Sequence, residues 1–123
     1  MNIRPEYMKL ADTLAAATDQ LNEQLEEAEC AFADLNLGVT ASVSMLPSDP
    51  EERLGFGKLD GRWRLTYGAL RRQPLVNASR EQRLRAHDKL PELLLALVDE
   101  AKQQVTRVQE ATASVRQFVQ RFK

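Results

Sequence analysis

Between Leu54 and Gly68 the chain reads LGFGKLDGRWRLTYG, and the Asp60-Gly61 pair at its centre constrains the fold more than any other feature. Asp-Gly is a strong signal for the two-residue tip of a β-hairpin, because both central residues of the favoured turn take positive φ. Placing that turn alone sets a register: Leu59 faces Arg62, Lys58 Trp63, Gly57 Arg64, Phe56 Leu65, Gly55 Thr66 and Leu54 Tyr67. Residues directly opposite share a face. One face then collects Leu54, Phe56, Lys58, Trp63, Leu65 and Tyr67, and the other Gly55, Gly57, Leu59, Arg62, Arg64 and Thr66. A slip of one residue would mix the two sets, so this separation supports the hairpin.

The same stretch resembles a nucleotide loop only in composition. A Walker-type loop needs G-x-x-x-x-G-K-[ST] before a helix. Here Leu59 follows Lys58, and the next segment, RWRLTY, has the pattern of a strand. The dinucleotide fingerprint G-x-G-x-x-G fails as well, since Gly61 comes one position late.

Upstream, GVTASVSML (38–46) alternates Val39, Ala41, Val43 and Met45 with Thr40, Ser42, Ser44 and Leu46, which predicts a strand with one apolar and one small polar face. PSDPEE reads as a turn and QPLVNA (73–78) as a connector. The predicted strands are 38–46, 54–59 and 62–70.

Both flanks are helical by pattern. Leu14, Leu21, Ala28 and Leu35 recur every seven residues, with Leu25 and Phe32 beside them, predicting a helix over 5–35 that starts at Pro5 and stops near Gly38. Ser79 and Gln82 have the form of a capping box opening a helix over 80–89. Pro91 predicts a kink, after which a second segment runs over 91–122. Along it Leu94, Val98, Ala101, Val105, Val108, Thr112, Val115, Val119 and Phe122 alternate steps of four and three, the seam of a coiled coil. The expected fold is a single α+β domain, 1–123, of order α-β-β-β-α. A three-stranded antiparallel meander is flanked by two long helices that pack on one sheet face and on each other. If those helices form a hairpin, Ala15, Ala16 and Ala17 fall opposite Ala111, Thr112 and Ala113, small against small.

Charge is unevenly distributed. Residues 1–37 carry two basic and eight acidic side chains, residues 38–90 ten and six, and residues 91–123 five and four. The acidic first helix and basic middle are suited to attract each other, within the chain or between copies. The open sheet face, with Arg62, Arg64, Thr66, Thr40, Ser42, Ser44, Gly55 and Gly57, is a candidate anion or partner surface, since guanidinium groups bind phosphate in bidentate fashion. Its alternative is a solvated face, because Trp63, Phe56 and Tyr67 fall on the other side, whereas single-strand binders interleave aromatics with basic residues. Arg80, Arg83 and Arg85 make no compact recognition face on their helix and suit pairing with Glu81, Asp88 or the acidic helix.

Little points to catalysis. The chain has one histidine, His87, and one cysteine, Cys30. His87 and Asp88 point about 100° apart on a helix, so the acid does not orient the base. Cys30 lies opposite the apolar stripe among Glu26, Glu27, Glu29 and Asp34. No catalytic residue, metal site or cofactor is expected. The longest apolar run, Leu93 to Val98, is short of a membrane span, and the N-terminus lacks the form of a signal peptide, so the expected location is the cytoplasm without membrane attachment. The expected function is a non-catalytic interaction or scaffold module that self-associates, as a dimer in the first instance, through the seam residues of the second helix with Leu14, Leu21, Leu25, Ala28 and Phe32 of the first. A regulator binding nucleic acid or another polyanion through the basic sheet face is the alternative, and a small enzyme a further one.

Overall fold

The computed structural model describes residues 3–123. In chain order it contains α1 (Arg4–Asp34), β1 (Ala41–Ser44), β2 (Arg53–Leu59), β3 (Arg62–Tyr67), β4 (Gln73–Pro74), a 3-10 turn (Leu75–Asn77) and α2 (Arg80–Arg121). The strands form one antiparallel sheet in the order β1-β2-β3-β4, which places the chain in the α+β class.

The central hairpin has the register that its turn dictates, from Leu59 opposite Arg62 to Leu54 opposite Tyr67. Asp60 and Gly61 sit at φ 52° and 79°, the backbone of a tight hairpin tip. The sheet has four strands rather than three. At Gly68, φ 98°, the chain leaves β3, which therefore ends at Tyr67 and not at residue 70. It then returns to pair Gln73 with Tyr67 and Pro74 with Thr66. The Tyr67 hydroxyl donates to Gln73 Oε1 at 3.1 Å. A strand of two residues has no period to read, and Pro74 lacks the N–H that would mark it as one. β1 is shorter than the predicted 38–46, because positive φ at Asn36 and Gly38 turns the chain out of α1 before pairing begins.

β4 covers only the end of β3, leaving the edge from Arg62 to Leu65 without a strand partner. Glu29 of α1 fills that gap, its Oε2 accepting from the Leu65 N–H at 2.9 Å. A strand donor is thereby satisfied and part of an open edge blocked.

Both helices cover the same sheet face. Leu54, Phe56, Leu65 and Met45 meet Leu25 of α1 and Ala86, Leu93 and Leu97 of α2, with Leu75 and Ala78 closing the side. Leu21, Ala28, Phe32, Val39, Ala41, Val43, Trp63, Tyr67 and Leu90 pack around them. Phe56 stacks on Trp63 with centroids 5.7 Å apart and takes the edge of Phe32 at 5.6 Å. The capping box at Ser79 and Gln82 forms in both directions, at 3.1 and 3.0 Å. Gln82 Nε2 also donates to Glu52 Oε1 at 3.0 Å, and Arg85 stands 3.5 Å from the same carboxylate. These contacts tie the start of α2 to the entry of β2.

Three features of the helices depart from the sequence pattern. α2 is one helix through Pro91. Proline withdraws one helical donor, but Pro91 and His87, whose carbonyl loses that donor, are both exposed, and Leu90, Leu93 and Leu97 on either side are held against the sheet. Secondly, the residues of α2 that enter the core are Ala86, Leu90, Leu93 and Leu97, a stripe beside the seam that begins at Leu94 and Val98. Thirdly, the helices form no hairpin. Arg83 donates to Asn22, Phe32 shares a cleft with Leu97, and Asn36 and Leu37 lie beside Ala101, Gln104, Val105 and Val108. Residue numbers rise together, so α1 and α2 run in the same direction. Ala15–Ala17 and Ala111–Ala113 are therefore carried to opposite ends, and the small-residue pairing does not form.

Candidate functional site

The parallel, staggered helices leave two arms. α1 meets the body from about Leu21 onward, and residues 4–20 extend beyond the start of α2. α2 leaves the body near Ala101, and residues 102–121 extend past the end of α1. At 1.5 Å per residue these arms are about 25 and about 30 Å long.

Each arm has an apolar stripe open to solvent, with only Asn36, Leu37 and Val39 beside the root of the stripe on α2. On α1, Tyr7, Leu10 and Leu14 are 63%, 64% and 45% exposed, in the same four-and-three rhythm that continues into the packed Leu21. On α2, Val105, Val108, Val115, Val119 and Phe122 are all exposed, as is Phe118, whose ring lies 4.8 Å from that of Phe122. Thr112 does not leave a polar gap in that stripe, because its hydroxyl donates to the Val108 carbonyl at 2.9 Å. Of the predicted pairing residues, Leu21, Leu25, Ala28 and Phe32 serve the core. Leu14 and the seam from Val105 to Phe122 do not, and Leu94, Val98 and Ala101 sit at the margin, exposed or half-buried. Among the described residues, no helix is long and apolar enough to cross a membrane.

The opposite face of the sheet is the second candidate. Thr40, Ser42, Gly55, Gly57, Arg64 and Thr66 share it, as the register requires. The two glycines do not leave an empty trough, however. Thr66 is 1% exposed and lies over Gly55, Thr40 covers Gly57, and the Arg72 guanidinium reaches across from the loop after β3. Two arginines that the sequence pattern does not assign to this face join it. Arg53, opposite Ser44, extends β2 by one residue and donates to Ser42 Oγ at 3.1 Å and to the Ser42 carbonyl at 3.0 Å. The period-two pattern carried back one position would have found it. Arg72 comes from a loop, where no periodicity signals direction. Arg53, Arg62, Arg64 and Arg72 thus gather on one side, and none of them is within ion-pair distance of a carboxylate among the described residues. Arg64 Nε and Thr66 Oγ1 are buried without a hydrogen-bond partner.

The remaining chemistry-bearing residues are dispersed. Cys30 is exposed on the outer side of α1 with Glu23, Glu26, Glu27 and Asp34. His87 Nδ1 stands 3.6 Å from Asp88 Oδ1 on the surface of α2. Among the described residues, no three His, Cys, Asp or Glu side chains form a group that could hold a metal ion. Arg83 reaches α1 through Asn22, and Arg85 pairs with Glu52 and Glu81, so these two meet the amide of α1 and acids of the middle segment rather than the carboxylates of α1. No protein family, curated protein or solved structure matches this chain, and its function has to be read from these surfaces.

Proposed function

We propose that this protein is a non-catalytic interaction module that associates with copies of itself through its two helical arms. The observation that carries this reading is the uncovered apolar stripe on each arm, with Leu10 at 64%, Val108 at 61% and Phe122 at 77% exposure. Contiguous apolar surface of this kind is characteristic of contacts rather than of solvated faces. Helices of this length without tertiary cover also gain support from a partner helix. Val105→Glu with Val108→Glu is expected to convert a concentration-dependent oligomer to a monomer by light scattering, with the near-ultraviolet signal of Trp63, packed against the core, little changed. A wild-type chain that stays monomeric at high concentration would defeat the reading.

A second reading rests on a separate observation, the four arginines on the open sheet face with no acidic partner. This face is proposed to bind phosphate-bearing polyanions. Binding of a fluorescent oligonucleotide should then weaken steeply with salt and fall about tenfold in Arg62→Ala/Arg64→Ala. Absence of any binding at low salt would end it.

A further inference from the structure

We propose that the uncovered face of the α2 arm, residues 102–121, is the seat for the α1 arm, residues 4–20, of a second copy, so that copies join head to tail. The proposal rests on the self-association reading and fixes its geometry.

Continuity is the first ground. Within one chain α1 lies along α2 in the same direction until α1 stops at Asp34. α2 continues past that point. At the junction Asn36, Leu37 and Val39 form an open groove with Ala101, Gln104, Val105 and Val108. An incoming parallel helix placed there would take up the line that α1 leaves. Length and pattern agree with this occupant. The free α1 segment is about 25 Å and its seat about 30 Å. Tyr7, Leu10, Leu14 and Ala17 repeat at the same steps as Val105, Val108, Thr112 and Val115.

Charge weighs against a pairing of two α2 arms. The segment 102–123 has Lys102, Arg107, Arg116, Arg121 and Lys123 against the single acid Glu110. In a pairing of two α2 arms the positions flanking the seam would be Lys102, Gln109, Arg116 and Lys123 on one side and Gln104, Ala111 and Phe118 on the other. No carboxylate there answers the cations. Two α1 arms, residues 4–20, each carry Glu6, Asp12 and Asp19 with Arg4 and Lys9, so that pairing gains nothing from net charge. The mixed pairing sets the basic α2 arm on one with three acids and two bases, whose flanking positions, Arg4, Ala11 and Thr18 on one side and Glu6, Thr13 and Gln20 on the other, repeat no row of cations. Such a contact is heterologous, and it propagates unless its rotation closes a ring.

Two variants test this: Leu10→Gln/Leu14→Gln blocks the α1 arm, and Val108→Gln/Val115→Gln blocks the α2 arm. All four positions are exposed and Gln favours helix, so the body is expected to fold as in the wild type. In sedimentation at low salt, the wild type should grow beyond a dimer with concentration and each variant alone should stay monomeric. Their equimolar mixture should give a 1:1 dimer and nothing larger. Dimers of the α1-blocked variant alone would mean that α2 pairs with α2, and dimers of the α2-blocked variant alone that α1 pairs with α1. Either result overturns the head-to-tail seat and leaves self-association standing. A wild type that is monomeric throughout overturns both, including one whose α2 arm instead binds anionic vesicles.

Discussion

Leu93→Ala should lower the unfolding free energy by about 3 kcal/mol, within the range for emptying a closed aliphatic site. Leu93 has no exposed surface and sits in the cluster with Leu54, Leu65 and Leu97. It lies where the first half of α2 packs on the sheet, so its truncation removes contacts that no neighbour can replace without moving a strand. Leu94→Ala, one residue on, should cost less than about 1 kcal/mol, because Leu94 is 37% exposed. Val115→Ala, out on the arm, should stay within about 0.5 kcal/mol in the monomer. Urea titration of the three variants tests which stripe of α2 holds the fold. A larger loss at Leu94 than at Leu93 would refute the packing described above.

The second large effect is expected at Gly55. A methyl added there would stand 2.8 Å from Thr66 Oγ1 and 3.4 Å from the Ala41 carbonyl oxygen. Thr66 is 1% exposed and cannot turn out into solvent, so the overlap has to be relieved by moving backbone. Gly55→Ala should therefore cost about 1–3 kcal/mol, the usual penalty of overpacking. In a Thr66→Ala background that penalty should largely vanish, because the atom in the way is gone. A double-mutant cycle reads the difference as a coupling energy. Gly57→Ala is the internal control. Its nearest contact, Thr40 Cγ2 at 2.8 Å, belongs to an exposed side chain free to rotate, so the cost should be under about 1 kcal/mol. Equal costs at the two glycines, or no coupling to Thr66, would mean that the sheet face is looser than the packing implies.

These two sites also show where sequence reasoning reached its limit. The hairpin was legible because turn chemistry and period-two alternation are local signals that agree at Asp60-Gly61. Its faces were legible for the same reason. Its occupancy was not: Thr40 leans in from just before β1 and Arg72 from a loop, and no pattern within β2 or β3 reports either. On α2 the difficulty was two stripes on one helix. Leu94, Val98, Ala101 and Val105 begin the longer regular series, whereas Ala86, Leu90, Leu93 and Leu97 fit the shorter surface that the sheet offers. Counting favours length, and packing follows the surface available. The helix direction depends on how the chain crosses from β4 through Leu75–Asn77 to Ser79, a passage too short for any periodicity. The basic face was found in part, with Arg62 and Arg64 read from the register and Arg53 lost by starting the strand one residue late.

The stagger of the helices also divides each of them by stability. Residues 21–34 and 83–101 are held by the core, and their amides should open only with the whole fold. Residues 4–20 have no tertiary cover and residues 102–121 only that of Asn36, Leu37 and Val39 at their root, and single helices of that length are marginal in water. In a lone copy the arms should therefore exchange their amide hydrogens long before the body does. Whatever covers them must first meet the cost of fixing their backbone, so contact and ordering become one event. Protection of the arms against exchange would then report occupancy directly, one arm at a time, without any change in the core.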